Sequence, residues 1–385
     1  MKILISGGGI AGLAAAIFLH KAGHELKVID KAASFQKLGY GISLKGFGIQ
    51  IMHQLGLLEE LQSHALSLSF FNIYNSKGKL IRSLPKKTVD EITGGTIPLS
   101  RADLHGVLYS AAEKLVPIEF GVQINGITHL SEKELVSFNN DLKDDFDLVI
   151  IAEGLRSKSR QLLWGDKGLT PLDITYVAAI IDEKHQFPLD EAVTFKGIGK
   201  TISCFPVSEN QIVIQALVNS GIKSNSQNSF KSILIETFSD FPIQVVQLLS
   251  AINPKDYIFH DSVAMIELSE LAQERVVLLG DAGYCPSSFS GMGASLSLLG
   301  AKILSESLLL SPHIKEALMR YNNLMHPIGL HFQNNARSTM KNELPQNKIQ
   351  ASIFSLILRY IPVSLIAKSV GKRLSVEKEL LENSN

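Results

Sequence analysis

The sequence is poor in residues that would cross-link it or push it into an extreme class. Its 385 residues include two cysteines, one tryptophan and no excess of either charge, with Lys+Arg and Asp+Glu both at 37. Cys204 and Cys285 cannot build a disulfide framework, and no CxxC pair exists to hold a metal. Eleven histidines are scattered without HExxH or similar ligand spacing. Zero formal net charge gives no electrostatic reason for nucleic acid or an anionic membrane to be the main partner. No run of roughly 18 uninterrupted apolar residues appears, and the best candidate, 349–370, is broken by Arg359, Pro362 and Lys368. The apolar start, Met1 to Ser6, runs at once into glycines and does not read as a signal peptide. The expectation is a cytoplasmic protein without a membrane span, either monomer or homodimer.

What is present is ordinary globular material, 45% apolar and 19% charged. The length fits about two domains of ~100–200 residues. Lys2 to Ser6 read as a buried parallel strand, Leu13 to Ala22 as a helix with Gly23 at its C-terminal cap, and Glu25 to Asp30 as a second strand. That is one strand–helix–strand crossover unit. Residues 49–63 predict one amphipathic helix, 70–85 paired strands, and 101–115 a helix capped by Ser100. Residues 147–152 and 276–280 read as further buried strands. The stretch 170–264 is strand-rich, with one helix over 230–250. A long helix follows Gly293, and a helical tail starts near Leu344.

Gly7-Gly8-Gly9-Ile10-Ala11-Gly12 fits GxGxxG. Gly7 permits the tight turn, Gly9 lets a pyrophosphate approach the backbone, and Gly12 lets helix and strand pack closely. The first N–H groups of the helix, at Ile10 and Ala11, then face the phosphate. Asp30 closes the second strand about 20 residues on, where a carboxylate accepts from a ribose hydroxyl. Lys31 follows it and partly compensates its charge. The motif alone does not separate FAD from NAD.

Two further stretches do. Glu153-Gly154-Leu155-Arg156-Ser157-Lys158-Ser159-Arg160 resembles the Asp-Gly segment of class A FAD-dependent monooxygenases, with Glu153 in place of the aspartate. Gly280-Asp281-Ala282-Gly283-Tyr284-Cys285-Pro286, continuing to Gly291-Met292-Gly293-Ala294, resembles their Gly-Asp motif. Arg101 matches the arginine that opens the helix beside the flavin, where it would pair with phosphate or hold the isoalloxazine. The resemblance covers roughly 1–325. It implies FAD as cofactor, with Asp281 on the ribityl hydroxyls and the 291–294 backbone on the flavin. Glu153 and Gly154 would lie near the flavin, and NADPH or NADH would act as a transient reductant. It implies an α/β fold: a Rossmann-like FAD-binding domain (1–70, 98–170 and 265–325), an inserted β-rich substrate domain (71–97 and 171–264), and a C-terminal helical region (326–385). The Gly-Asp-Ala-Gly-Tyr-Cys-Pro-Ser run and Gly39-Tyr40-Gly41-Ile42 are similar to tetracycline-inactivating flavin monooxygenases, where an added C-terminal helix covers the active site.

A bound cofactor explains why no catalytic triad is found: it carries the hard chemistry, and the protein binds and orients. The expected reaction inserts one oxygen atom from O₂ into an apolar aromatic or polycyclic small molecule. Phe195, Phe205, Pro206, Gln215 and Phe289 are the candidate pocket lining. A flavin halogenase would need a WxWxIP motif, and the only tryptophan is Trp164. A dehydrogenase or reductase on the same scaffold, or a non-catalytic flavin- and ligand-binding protein, remains open at this point.

Overall fold

A computed structural model of the chain describes residues 1–36, 41–219, 227–253, 256 and 258–365. In chain order it runs β1 (Lys2–Ser6), α1 (Ile10–Lys21), β2 (Glu25–Asp30), β3 (Gly41–Lys45), α2 (Phe47–Leu55), α3 (Leu58–Ser63), β4 (Phe70–Asn75), β5 (Leu80–Pro85), α4 (Lys86–Thr93), β6 (Thr96–Ser100) and α5 (Arg101–Ala112). Next come β7 (Ile118–Phe120), β8 (Ile124–His129), β9 (Glu134–Phe138), β10 (Lys143–Phe146), β11 (Leu148–Ile151), α6 (Lys158–Trp164), β12 (Leu169–Ile181), β13 (Glu191–Gly197), β14 (Lys200–Ser208) and β15 (Gln211–Asn219). The chain continues through α7 (Gln227–Thr237), α8 (Ile243–Ala251), β16 (Ile258–Ile266), β17 (Ala272–Gln273), β18 (Val276–Leu278), α9 (Asp281–Tyr284), a 3₁₀ turn at Ser288–Ser290, α10 (Gly293–Leu310), α11 (Ile314–Glu343) and α12 (Lys348–Tyr360).

Two large sheets organise these elements. The first has strand order β17-β18-β11-β1-β2-β7 and is parallel except at β17. Its strands are apolar on both faces because both are covered, as a parallel sheet requires. Ile3, Ile5 and Val28 pack with α1, α5, α10 and α11 in one core. Leu4, Ile29 and Val149 face the other way, into a second core with Phe138, Phe146 and Trp164. The second sheet has order β16-β12-β15-β14-β13-β4-β5, antiparallel except where β4 runs parallel to β13. One face is sealed by α7 and α8 through Phe230, Leu234, Phe238 and Leu249. The other turns towards α11, meeting it through Tyr176, Met265, Phe289 and Ala336. Segments from three parts of the sequence therefore build one mixed α/β architecture ending in a helical segment.

Several local expectations shift. The single helix expected over 49–63 is two, because Gly56 takes the left-handed conformation (φ +79°) and caps α2. The helix expected over 230–250 is also two, α7 and α8, with Pro242 at the N-cap of α8. The first helix starts at Ile10 rather than Leu13, so the last glycine of the motif lies inside its first turn. Among the described residues one helix, Gly293–Leu310, is long and apolar enough to cross a membrane; 67% of it is buried, against α1, α2 and α11, which is the burial of a core helix. Gly39, Tyr40 and 366–385 fall outside the described residues.

Candidate functional site

The first glycine turn leaves β1 at the C-terminal edge of the parallel sheet. A Cβ on Gly7 would lie 2.4 Å from the carbonyl oxygen of Ala152, and one on Gly12 would lie 1.9 Å from the carbonyl of Gly7 itself. Both are packing glycines. Gly9 differs: nothing lies within 4 Å of where its Cβ would be, so its backbone faces open space. Gly9 caps α1 with no side-chain hydrogen bond, which leaves the N–H groups of the first turn facing that space. Ile10 and Ala11 are the buried first residues of the helix. The Asp30 carboxylate accepts from the N–H of Gly8 and of Ala32, both at 2.7 Å, and so ties β2 to the glycine turn. A cavity of about 170 Å³ lies there, with Gly7, Gly9, Asp30, Lys31, Arg101 and Glu153 in its wall. An uncapped helix N-terminus, a glycine facing space, a strand-end carboxylate and a cation suit the adenosine diphosphate half of FAD.

The other two stretches meet the first. β11 lies beside β1 and β18 beside β11, and a Cβ on Gly280 would be 2.7 Å from the Ala11 methyl. Arg160, 1% exposed, donates to the carbonyls of Leu155 and Ala282 and so bolts the second stretch to the third. Burial lowers its pKa below the ordinary arginine value. Gly154 takes positive φ and lines the cavity beside Glu153. The Glu153 carboxylate is fully engaged: Ser6 and Ser159 hydroxyls donate at 2.6 Å, and the Ser157 hydroxyl at 2.8 Å. The longer acid therefore organises the strand end rather than offering a free carboxylate.

Asp281 opens α9, close to Gly293, whose Cβ would lie 3.8 Å from a carboxylate oxygen. Burial raises its pKa above the ordinary value, and the Arg101 charge opposes that rise. Pro286 is buried in the connection after α9. Met292 caps α10 and packs into the main core, and Ala294 packs against the same core from the first turn. Gly291 approaches the ammonium of Lys45.

The start of β3 meets the seven-stranded sheet on the face that turns towards α11. Gln215 donates to the carbonyl of Gly41, and Phe205 lies 3.8 Å from where a Gly41 Cβ would be. Phe289 is buried between that face and α11. Phe195 goes elsewhere: strand alternation turns it to the opposite face, where it packs with Leu249 and Phe241 under α7 and α8. Pro206, on the side of Cys204 and Ile202 by the same alternation, also points away. Thr194, Lys196, Ser203 and Gln215 make this face largely polar. A cavity of about 160 Å³ is lined by Tyr176, Thr194, Lys196, Ser203, Gln215 and Glu343 among others. Lys196, 8% exposed, pairs with Glu343 at 2.6 Å and lies 4.8 Å from the Phe354 ring centroid. Its partners come from the end of α11 and from α12, so the helical tail closes this side. α12 buries none of its residues and is held by polar bonds, Arg82 to the carbonyls of Leu358 and Ile361, and Arg359 to that of Leu80.

Sequence reasoning missed His105, whose ring nitrogen lies 2.7 Å from the Gly8 carbonyl and whose pKa burial lowers. The signal was there: it sits four residues after Arg101 on α5, on the same helix face. The Lys196–Glu343 pair, 147 residues apart in sequence, had no such signal.

Comparison with known proteins agrees with this geometry. A family model described as "FAD binding domain" matches residues 1–313. FAD-dependent monooxygenase asL6 of Sarocladium schorii is 29% identical over 424 aligned positions, covering 99% of this chain and 97% of the relative. The crystal structure of tetracycline destructase Tet(55) is similar at 25% identity and a TM-score of 0.78, covering 96% of each chain. Klebsiella pneumoniae HpxO complexed with FAD and uric acid shares the fold with a TM-score of 0.82 at 22% identity, over 96% of each chain.

Proposed function

The chain belongs to the FAD-binding-domain family and is a flavin-dependent monooxygenase, and from that premise we propose that it consumes NADPH or NADH and inserts one oxygen atom of O₂ into a ring-bearing, oxygen-rich small molecule. FAD, when bound, supplies the redox chemistry and the activation of O₂. The rest falls to the protein. The first glycine turn, Asp30 and Arg101 bind the dinucleotide, Asp281 takes the ribityl hydroxyls, and the 291–294 backbone faces the ring system. In this reading the parallel-sheet body (1–70, 98–170 and 265–325) is the FAD-binding unit. The seven-stranded insert (71–97 and 171–264) seats the substrate, under a tail from 326 onward.

The observation that carries the substrate class is the cavity wall of Thr194, Ser203, Gln215 and the Lys196–Glu343 pair on the seven-stranded sheet. Thr194 and Ser203 bond each other, Lys196 pairs with Glu343 and Gln215 donates to the Gly41 carbonyl; the donor and acceptor positions left over on these groups favour a substrate with hydroxyl or carbonyl oxygens of its own. Tyr176, Phe205 and Phe289 supply the apolar remainder. A polycyclic, polyoxygenated compound of the tetracycline kind fits both requirements. The test is the absorbance spectrum of purified protein, followed by NADPH oxidation and O₂ uptake with phenols, uric acid and tetracycline. Substrate-stimulated oxidation with one O₂ consumed and one oxygen atom incorporated per NADPH supports the proposal. Reduced-nicotinamide oxidation without incorporation counts against the proposed oxygen insertion, and yellow protein that none of these compounds stimulates overturns the proposed substrate class.

A further inference from the structure

Lys45 ends β3 in a stretch that is otherwise apolar or small, and the dinucleotide motifs leave it unassigned. Its backbone is fixed: β3 pairs with β6, and the Ser295 hydroxyl, in the first turn of α10, donates to the Lys45 carbonyl at 3.1 Å. The close packing of Gly48 on Ser295, where a Cβ would meet the hydroxyl at 2.4 Å, holds the two segments in this register. The side chain then reaches Gly291, with its ammonium 3.2 Å from where a Cβ on that glycine would sit. Among the described residues no carboxylate or hydrogen-bond acceptor meets this ammonium, whereas Lys196 and Lys200 each have a carboxylate within 2.6 Å. Burial alone lowers the Lys45 pKa, with no counter-charge to offset it.

Lys45 is half-buried, and an ammonium at such a site with no protein partner is free to meet an anion that arrives beside it. The neighbouring 291–294 backbone is the stretch that faces the flavin ring. Hydride transfer to a neutral flavin delivers two electrons and one proton, and leaves one negative charge delocalised over the N1–C2=O edge. We propose that Lys45 is a positioning residue whose ammonium pairs with this edge and favours the reduced cofactor. This rests on FAD binding and not on oxygen transfer, so either reading can fail without the other.

The test compares wild type, Lys45→Met and Lys45→Arg, each reconstituted with FAD, by equilibrating the bound flavin against a reference redox dye. Lys45→Met is expected to shift the equilibrium at least about tenfold towards oxidised flavin, which is about 30 mV for a two-electron couple. Lys45→Arg should return it to within about threefold of wild type, because the charge is kept. Lys45→Gln carries the same comparison if the methionine variant does not fold. A folded, yellow, uncharged variant whose equilibrium stays within about twofold of wild type overturns the assignment.

Discussion

Replacing Gly9 and Gly12 by alanine, one at a time, separates a glycine kept for packing from one kept for the cofactor. At Gly12 the new methyl would lie 1.9 Å from the Gly7 carbonyl oxygen and 3.3 Å from an Ile5 methyl. The obstacle is backbone, so β1 and α1 must move apart by more than an ångström. Overpacking of this kind costs about 1–3 kcal/mol, and the upper end is expected here because no flexible side chain can give way. At Gly9 the new methyl meets nothing within 4 Å, and the residue sits at φ −80°, ψ −175°, which alanine adopts freely. Apo Gly9→Ala should therefore unfold within about 0.5 kcal/mol of wild type. Its defect appears only with FAD, where the methyl occupies the space proposed for the pyrophosphate. Wild type at about 100 times its dissociation constant gains about 2.7 kcal/mol from the ligand. A hundredfold loss of affinity would leave Gly9→Ala with about 0.4 kcal/mol at the same FAD concentration. Thermal unfolding with and without FAD, together with calorimetric titration, reads both quantities. The reasoning is refuted if Gly9→Ala binds FAD as wild type does, or if its apo form is as unstable as Gly12→Ala.

Gly300→Ala should destabilise by about 2–3 kcal/mol, because its methyl would meet the buried Tyr284 hydroxyl at 1.8 Å; adding Tyr284→Phe should recover part of this in a double-mutant cycle of urea unfolding. Glu343→Gln leaves the buried Lys196 ammonium without its counter-charge and should cost about 1–2 kcal/mol, held to that range by the partial exposure of Glu343. Lys196→Met, set against Phe354, should cost less, and urea midpoints that rank the two the other way would count against a buried-cation origin. The Arg337 hydrogen bond holds the Glu267 carboxyl below its ordinary value of 4.5. That increment is present above the ordinary value and disappears as pH falls through the depressed one, so Arg337→Met should flatten the acid limb of a stability–pH profile.

The sequence by itself determined the nucleotide half of this protein. GxGxxG, Asp30 and the buried strands at 147–152 and 276–280 obey local rules: a turn without side chains, a helix end, a continuous apolar strand. Each such rule acts over a short span of chain, so it survives in one dimension. The Glu153 substitution was visible too, although its three serine donors, one from β1, were not. Tertiary structure alone decided which face of the inserted sheet is sealed by helices and which carries the polar cavity. A residue's side of a strand depends on register, and register between β13, β14 and β15 is set by pairing and by α7 and α8 covering one face. Hence Phe195, an aromatic well suited to a pocket by type, is core, while Lys196 beside it faces the cavity. The same holds for Lys45: its meaning comes from Gly291, far along the chain, and only the packing of β3 against α10 brings the two together.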